Sequence, residues 1–276
     1  MKRWIFFTDL DGTLLDEKTY AFDAALRALA ALRAGEIPLV LCSSKTCSEM
    51  KEWWAQLGLS SPFVYENGGA IWIPAGYFEP MDGERVVTLG ARREVLVTAL
   101  SEMACATGAR LKGFSSMSPE EVAERTGLDL KTARLALERE HDEPFLLSDE
   151  GPLGELRQAA RRRGLRVTRG GRFFFHLTDE ATDKGKAVRT LLDLYRTGDG
   201  AEISVALGDA ANDLEMLLAV DRPILMPQAH GRVEETLGKA LPGAECAPGP
   251  GPSGWNAAVL AVLKGGRVGQ ERHCPP

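Results

Sequence analysis

The run Asp9-Leu10-Asp11-Gly12-Thr13-Leu14 follows directly on the apolar stretch Trp4-Ile5-Phe6-Phe7. Two carboxylates two residues apart, on a turn that ends a buried strand, are poor structural material. Unpaired burial of charge is very costly, so such a pair needs a metal or a cationic partner. The run is not an EF-hand, because its Gly falls at the wrong loop position and a strand rather than a helix precedes it. Cys42-Ser43-Ser44-Lys45 ends a second apolar run. A hydroxyl there, ahead of a helix, serves either as a plain N-cap or as a phosphate contact backed by backbone N–H groups. Asp183-Lys184-Gly185-Lys186 opens a helix with two lysines. That placement opposes the macrodipole, which favours anions at a helix start. An anionic ligand accounts for Lys184, with Lys186 as the bystander. Gly208-Asp209-Ala210-Ala211-Asn212-Asp213 carries two acids four residues apart, on one helical face. Asp209 is placed to reach a metal directly, and Asp213 to hold Lys184 or a metal-bound water. Oxygen donors without a His/Cys cluster point to a hard cation, Mg²⁺.

All four groups lie at or just past a strand end, where open α/β sheets place their ligands. The apolar run 4–8 reads as the first strand, and Phe22, Leu26, Leu29 and Leu32 recur at helical spacing up to Gly35. Ile37–Cys42 is a second continuous apolar run, as expected of a parallel strand covered on both faces. A helix over 45–57 and a strand over 62–65 follow. This alternation is the doubly wound α/β signature. From 83 to 178 the rhythm changes to Val86–Leu89, amphipathic stretches at 94–106 and 119–139, a helix near 152–163, and strand-like runs Leu165–Thr168 and Arg172–Leu177. The doubly wound pattern then returns with helix 184–196, strand 203–207, helix 212–219, strand 223–226 and a last helix at 254–263. The expectation is a parallel-sheet core in two parts, 1–82 and 179–264, an inserted α+β cap domain at 83–178, and a frayed tail at 265–276.

The segment around Asp9 resembles motif I of the haloacid dehalogenase superfamily, and Ser43, Lys184 and Gly208–Asp213 resemble motifs II, III and IV, in order. The resemblance implies a Rossmann-like core in which Asp9 attacks phosphorus to form an aspartyl-phosphate and Asp11 acts as acid and then base. It also implies that Ser43 and Lys184 hold the phosphate. Mg²⁺ would be held by Asp9, Asp209 and the Asp11 carbonyl, with Asp213 in support. Relatives often carry Thr-Gly-Arg at motif II, whereas Ser43-Ser44-Lys45 here keeps a cation near the substrate. The cap position and the turn Glu66-Asn67-Gly68-Gly69 are similar to the C2B cap subclass. Within it, Arg139–Phe145, Gly170–Leu177 and Gly249–Asn256 resemble the mannosyl-3-phosphoglycerate phosphatase family. That implies a small sugar-phosphate substrate bearing a carboxylate and a compatible solute such as mannosylglycerate as product. Lys45, Asn67, Gly68, Gly170, Gly171, Arg172, Ser253 and Trp255 are the expected substrate contacts. Arg172 offers a planar fork for the carboxylate. Trp255 either stacks on a sugar face or anchors the last helix in the core, with Ser253 and Asn256 supplying hydrogen bonds.

Composition excludes other classes. A net charge of −6 disfavours general nucleic-acid binding. Ser118–Leu128 with Lys131–Leu137 mimics a helix-turn-helix, but acids match or exceed bases around the pair, so the phosphate footprint of a DNA reader is missing. G-x-G-x-x-G is absent after the first strand, which leaves a dinucleotide enzyme unsupported. No apolar run approaches the ~18–20 residues of a membrane span. The N-terminal stretch reaches Asp9 and Asp11 too soon for a signal peptide. Five scattered cysteines read as reduced thiols, so a soluble cytoplasmic protein is expected. A phosphomutase would share Asp9 and Asp11 but return phosphate to a sugar, and the oligomeric state is left open.

Overall fold

The computed structural model describes residues 3–78, 82–170, 174–196 and 202–268. Alternation along β1 (Arg3–Thr8) sets the core. Ile5 and Phe7 pack to one side and Phe6 to the other, all fully buried. Period-two side chains that are apolar on both faces are what a sheet sandwiched by helices requires. The chain continues through α1 (Leu26–Ala34), β2 (Leu39–Cys42), α2 (Cys47–Gln56), β3 (Phe63–Tyr65), β4 (Ala70–Ile73) and β5 (Arg85–Thr88).

Next come α3 (Arg93–Thr107), β6 (Leu111–Gly113), α4 (Pro119–Thr126), α5 (Leu130–Leu137), β7 (Glu143–Leu147), α6 (Leu153–Arg161), β8 (Leu165–Gly170) and β9 (Phe174–Asp179). The chain then re-enters the core with α7 (Lys184–Tyr195), β10 (Glu202–Gly208), α8 (Leu214–Leu218), β11 (Arg222–Leu225), α9 (Glu235–Ala240), β12 (Glu245–Cys246) and α10 (Gly251–Leu263).

One sheet has the order β12-β11-β10-β1-β2-β3-β4-β5 and the other β6-β7-β9-β8. In the first, β12 through β3 are parallel, while β4 and β5 add on antiparallel. Residues of α1, α2 and α10 cover one face, and residues of α7, α8 and α9 cover the other. The second sheet is antiparallel throughout. Phe145, Val167, Phe175 and Leu177 of that sheet pack under α3 and α6.

Several expectations need correction. Val86–Thr88, placed with the cap from the sequence, form β5 at the edge of the core sheet, paired with β4. The stretch 119–139 is two helices, broken where Gly127 turns left-handed and Asp129 caps α5 through the Lys131 and Thr132 N–H groups. The second of the two, α5, docks on α2. The Thr46 hydroxyl at the start of α2 donates to the Leu135 carbonyl of α5 at 2.9 Å, and Lys131 pairs with Glu52 at 2.6 Å. Strands β4, β6, β7 and β12 and helix α9 carry too short a pattern to stand out in sequence. Cys42, Cys47 and Cys105 are free thiols, but Cys246 is disulfide-bonded, so the expectation of five reduced thiols does not hold. Among the described residues no helix is long and apolar enough to cross a membrane.

Candidate active site

The carboxyl ends of β1, β2, β3 and β10 bring the separated groups together. Asp9 follows β1, and its backbone N–H donates to the Leu207 carbonyl of β10 at 3.0 Å. Gly12 sits at φ +78°, and a Cβ there would stand 2.8 Å from Asp209 Oδ2, so only glycine lets the Asp9–Thr13 turn close against Asp209. Thr13, which the sequence reading passed over although it lies inside the motif, donates its hydroxyl to Asp209 Oδ1 at 2.9 Å.

Lys184, at the first turn of α7, is fully buried. Its Nζ donates to Asp9 Oδ1 and Asp213 Oδ1, both at 2.6 Å. Burial by itself lowers the pKa of this ammonium, but Asp213 and Asp9 outweigh burial and hold it above the usual lysine range. The other oxygen of Asp213 accepts from the Asp209 and Ala210 N–H groups at 3.0 and 3.1 Å. Asp213 therefore has both oxygens occupied and acts as a brace for Lys184 and the Asp209 turn. Lys186 stands aside, its Nζ on the Leu89 carbonyl at 3.3 Å.

Carboxylate oxygens of Asp9, Asp209 and Asp213 all lie within 4.8 Å of one another. Burial, then the neighbouring carboxylates Asp213, Asp209 and Asp11, push Asp9 well above the ordinary range against the pull of Lys184. Burial and Asp213 likewise push Asp209 up to about 7. Three crowded, desolvated carboxylates are offset by one ammonium, and their donor set is all oxygen. This suits a hard divalent cation.

Asp11 and Lys45 form a second pair, with Lys45 Nζ on Asp11 Oδ2 at 2.7 Å and 5.1 Å above the Tyr20 ring. Lys45 thus meets Asp11 rather than standing free, while Asp11 Oδ1 is buried with no partner among the described residues. Ser43 is buried at the end of β2, its Oγ accepting from the Lys45 N–H at 3.3 Å. Asn67, left-handed at φ 56°, accepts from the Asn212 side chain at 3.1 Å and lines the cleft between core and cap. Gly68 is buried, and a Cβ there would meet the Asp183 carbonyl at 2.2 Å. Its role is close packing on α7 instead of an open substrate contact.

The tail motif is also corrected. Trp255 is fully buried, its Nε1–H donating to the Thr8 hydroxyl at 3.0 Å, so it anchors α10 to β1 and cannot stack on a sugar. Asn256 accepts from the Ala28 N–H at 2.9 Å, and Ser253 is solvent-exposed on α10. Gly170 ends β8 against His176, while Gly171 and Arg172 lie outside the described residues. Glu66, named from the sequence only as part of a turn, accepts through its carboxylate from the Glu140 and His141 N–H groups at 2.9 and 2.6 Å and ties β3 to the cap. Burial pushes Glu66 up to about 7, against the opposing pull of Arg139 and the two backbone donors.

The chain is similar to known proteins over most of its length. A glucosyl-3-phosphoglycerate/mannosyl-3-phosphoglycerate phosphatase of Methanococcoides burtonii is 39% identical over 267 residues, covering 94% of this chain and 97% of the relative. A mannosyl-3-phosphoglycerate phosphatase of Pyrococcus furiosus is 37% identical over 230 residues, covering 80% and 90%. A solved sugar phosphatase of haloacid dehalogenase subclass IIB superposes with a TM-score of 0.66 at 15% identity, covering 95% of this chain and 98% of its own, which shows the shared fold with its cap. The family described as haloacid dehalogenase-like hydrolase matches residues 6–85 and 119–240, and the chain belongs to that family.

Proposed function

We propose that the chain is a Mg²⁺-dependent phosphomonoester hydrolase that works through an aspartyl-phosphate on Asp9, with mannosyl-3-phosphoglycerate as substrate and mannosylglycerate as product. The observation that carries the reading is the fully buried Lys184 ammonium shared by Asp9 and Asp213 at the strand ends. A strand-end carboxylate beside a fixed cation is prepared to attack an anionic ester, because the cation offsets charge repulsion without reorganising.

Asp9 forms a bond to phosphorus as the bond from phosphorus to the alcohol oxygen breaks. Lys45 fixes one oxygen of Asp11, leaving the unpartnered Oδ1 to give a proton to the departing oxygen. The same carboxylate then takes a proton from the water that attacks the aspartyl-phosphate. Inorganic phosphate departs and the Asp9 carboxylate is restored. Ser43 and Lys184 hold phosphate oxygens through both steps. Asp9, Asp209 and the Asp11 carbonyl would hold Mg²⁺, which when bound neutralises charge on the phosphoryl oxygens. Asp213 supports this set through Lys184.

The names of the relatives support the substrate, and the dual name of the Methanococcoides relative favours glucosyl-3-phosphoglycerate as a second one. The deciding experiment is phosphate release across glycosyl-3-phosphoglycerates and simple sugar phosphates. The highest kcat/KM is expected on mannosyl-3-phosphoglycerate. Preference for simple sugar phosphates, or transfer of the phosphate to a second sugar, would sink the assignment.

A further inference from the structure

Two sequence segments that the catalytic chemistry leaves unused, Arg139–Phe145 and Gly170–Leu177, meet on the cap sheet. Cross-strand partners share a face, so the pairings Arg166↔Thr178 and Thr168↔His176 put these four side chains on one side of the sheet. The opposite side carries Phe145, Val167, Phe175 and Leu177 under α3 and α6. The first side therefore looks toward the core. A cavity of about 520 Å³ separates it from the core, with Arg166, Thr168 and Thr178 above and Asn67, Lys184 and Asn212 below.

Two polar side chains on this side are only partly satisfied. Asp142 is fully buried, with Oδ2 meeting His176 Nδ1 at 2.6 Å and Arg139 Nη1 at 3.3 Å. Its Oδ1 is buried with no partner among the described residues. Arg139 Nη1 also donates to the Ser44 carbonyl at 2.6 Å, which places the group directly beside the phosphate-binding turn at Ser43. The guanidinium of Arg166 spends Nη2 on the Thr182 carbonyl at 2.7 Å, while its Nε is buried without an acceptor. Orphaned buried polar atoms of this kind are destabilising unless something fills them. Gly170 lies against the far edge of His176, where a Cβ would come within 2.2 Å of Nε2, so only a residue without a side chain fits against that edge of the ring.

We propose that, on this core-facing side of the cap sheet, Arg166 and His176 form a discriminating subsite in which the Arg166 guanidinium takes a carboxylate of the leaving alcohol and His176, held by Asp142, takes one of its hydroxyls. The inference rests on the phosphatase reading above and deepens it. The charge lining the cavity is mixed rather than diffusely positive. Arg157 and Arg161 stand exposed at the rim, but Glu180 and Glu215 line the same cavity and offset them. Arg169 is already paired with Glu150 and lies over Phe175 on the other face. Arg166 is the arginine of this group with a buried donor that has no acceptor among the described residues, and its planar fork matches a carboxylate.

The test compares mannosyl-3-phosphoglycerate with the same ester whose carboxylate is a primary amide, in wild type and in Arg166→Ala, Arg166→Lys, Arg172→Ala and His176→Ala. The wild type is expected to prefer the acid by roughly 10²-fold in kcat/KM, a ratio that measures charge reading and is insensitive to general loss of activity. Arg166→Ala should collapse that ratio to about one, and Arg166→Lys should restore part of it as a point charge. His176→Ala should lower both esters alike, by about tenfold, through a higher KM. An acid preference that survives Arg166→Ala, or that is lost at Arg172→Ala instead, would overturn the carboxylate assignment. An unchanged KM in His176→Ala would overturn the hydroxyl assignment. A wild type blind to the carboxylate would overturn the subsite while leaving the phosphatase intact. A wild type inert on both esters but active on simple sugar phosphates would overturn the substrate reading and the subsite with it.

Discussion

Removing a charge while keeping its shape separates chemistry from architecture at the catalytic centre. Asp9→Asn keeps an acceptor for Lys184 but is not a competent nucleophile. Phosphate release should fall by about 10⁴-fold or more, with an unchanged circular dichroism spectrum. Activity within tenfold of wild type would remove Asp9 from the nucleophile role. Asp209 and Asp213 should part company on substitution. Asp213 braces a fully buried ammonium and two backbone N–H groups, so Asp213→Asn should lower unfolding free energy by about 3 kcal/mol, the cost of breaking a buried pair from one side. Asp209 is held through its side chain by Thr13 alone among the described residues. Asp209→Asn should instead raise the Mg²⁺ concentration for half-maximal activity by more than tenfold. Equal metal requirements in the two variants would contradict that division.

Where one secondary-structure unit ends on another, buried polar contacts make testable joints. Helix α10 meets β1 through the Trp255 Nε1–H bond to Thr8, whose hydroxyl in turn donates to the Asp9 carbonyl at 2.8 Å. Trp255→Phe should lower unfolding free energy by about 1–2 kcal/mol while leaving KM for the glycosyl ester unchanged. A KM raised severalfold with unchanged stability would return Trp255 to the sugar site. The joint between β3 and the cap is Glu66. Its folded pKa, about 7, lies above the ordinary value of 4.5, so the folded protein holds this proton more tightly than the unfolded chain. The resulting stability is fully present below about pH 4.5 and is lost as pH rises to about 7, an effect of up to ~3 kcal/mol. Subtracting the pH profile of Glu66→Gln from that of wild type isolates it. Parallel profiles across that window would show that Glu66 titrates normally.

Cap and core close over a centre with excess negative charge, and this bears on the stability of the entire chain. Asp9 and Asp209 are both pushed upward by burial and by neighbouring carboxylates. A divalent cation that binds only the folded form relieves that repulsion and stabilises by mass action, by about 2.7 kcal/mol at a hundredfold excess over its Kd. Thermal unfolding after EDTA treatment should therefore shift upward by several degrees on adding Mg²⁺, and the shift should vanish in Asp209→Asn. An unchanged midpoint in wild type at saturating Mg²⁺ would argue against a metal centre at these carboxylates. Phosphate release should likewise stop after chelation and return with Mg²⁺.

The linear chain already carried Asp9, Ser43, Lys184 and Asp209, because buried parallel strands announce themselves as continuous apolar runs and the chemistry follows at their ends. Charge in such places calls for a metal or an ionic partner, and it is the resemblance of these segments to the haloacid dehalogenase motifs that named phosphoryl chemistry. Other facts depended on partners distant in sequence. Strand β5 is too short to declare its sheet, and only its pairing with β4 assigns it to the core. Trp255 reads equally as platform or anchor until Thr8 is found 247 residues away beneath it. The approach of Asp142 to His176 and the half-used guanidinium of Arg166 likewise arise from strand register and from cap closure. Local propensity encodes neither, since a one-residue slip in register would turn the same side chains to the opposite face.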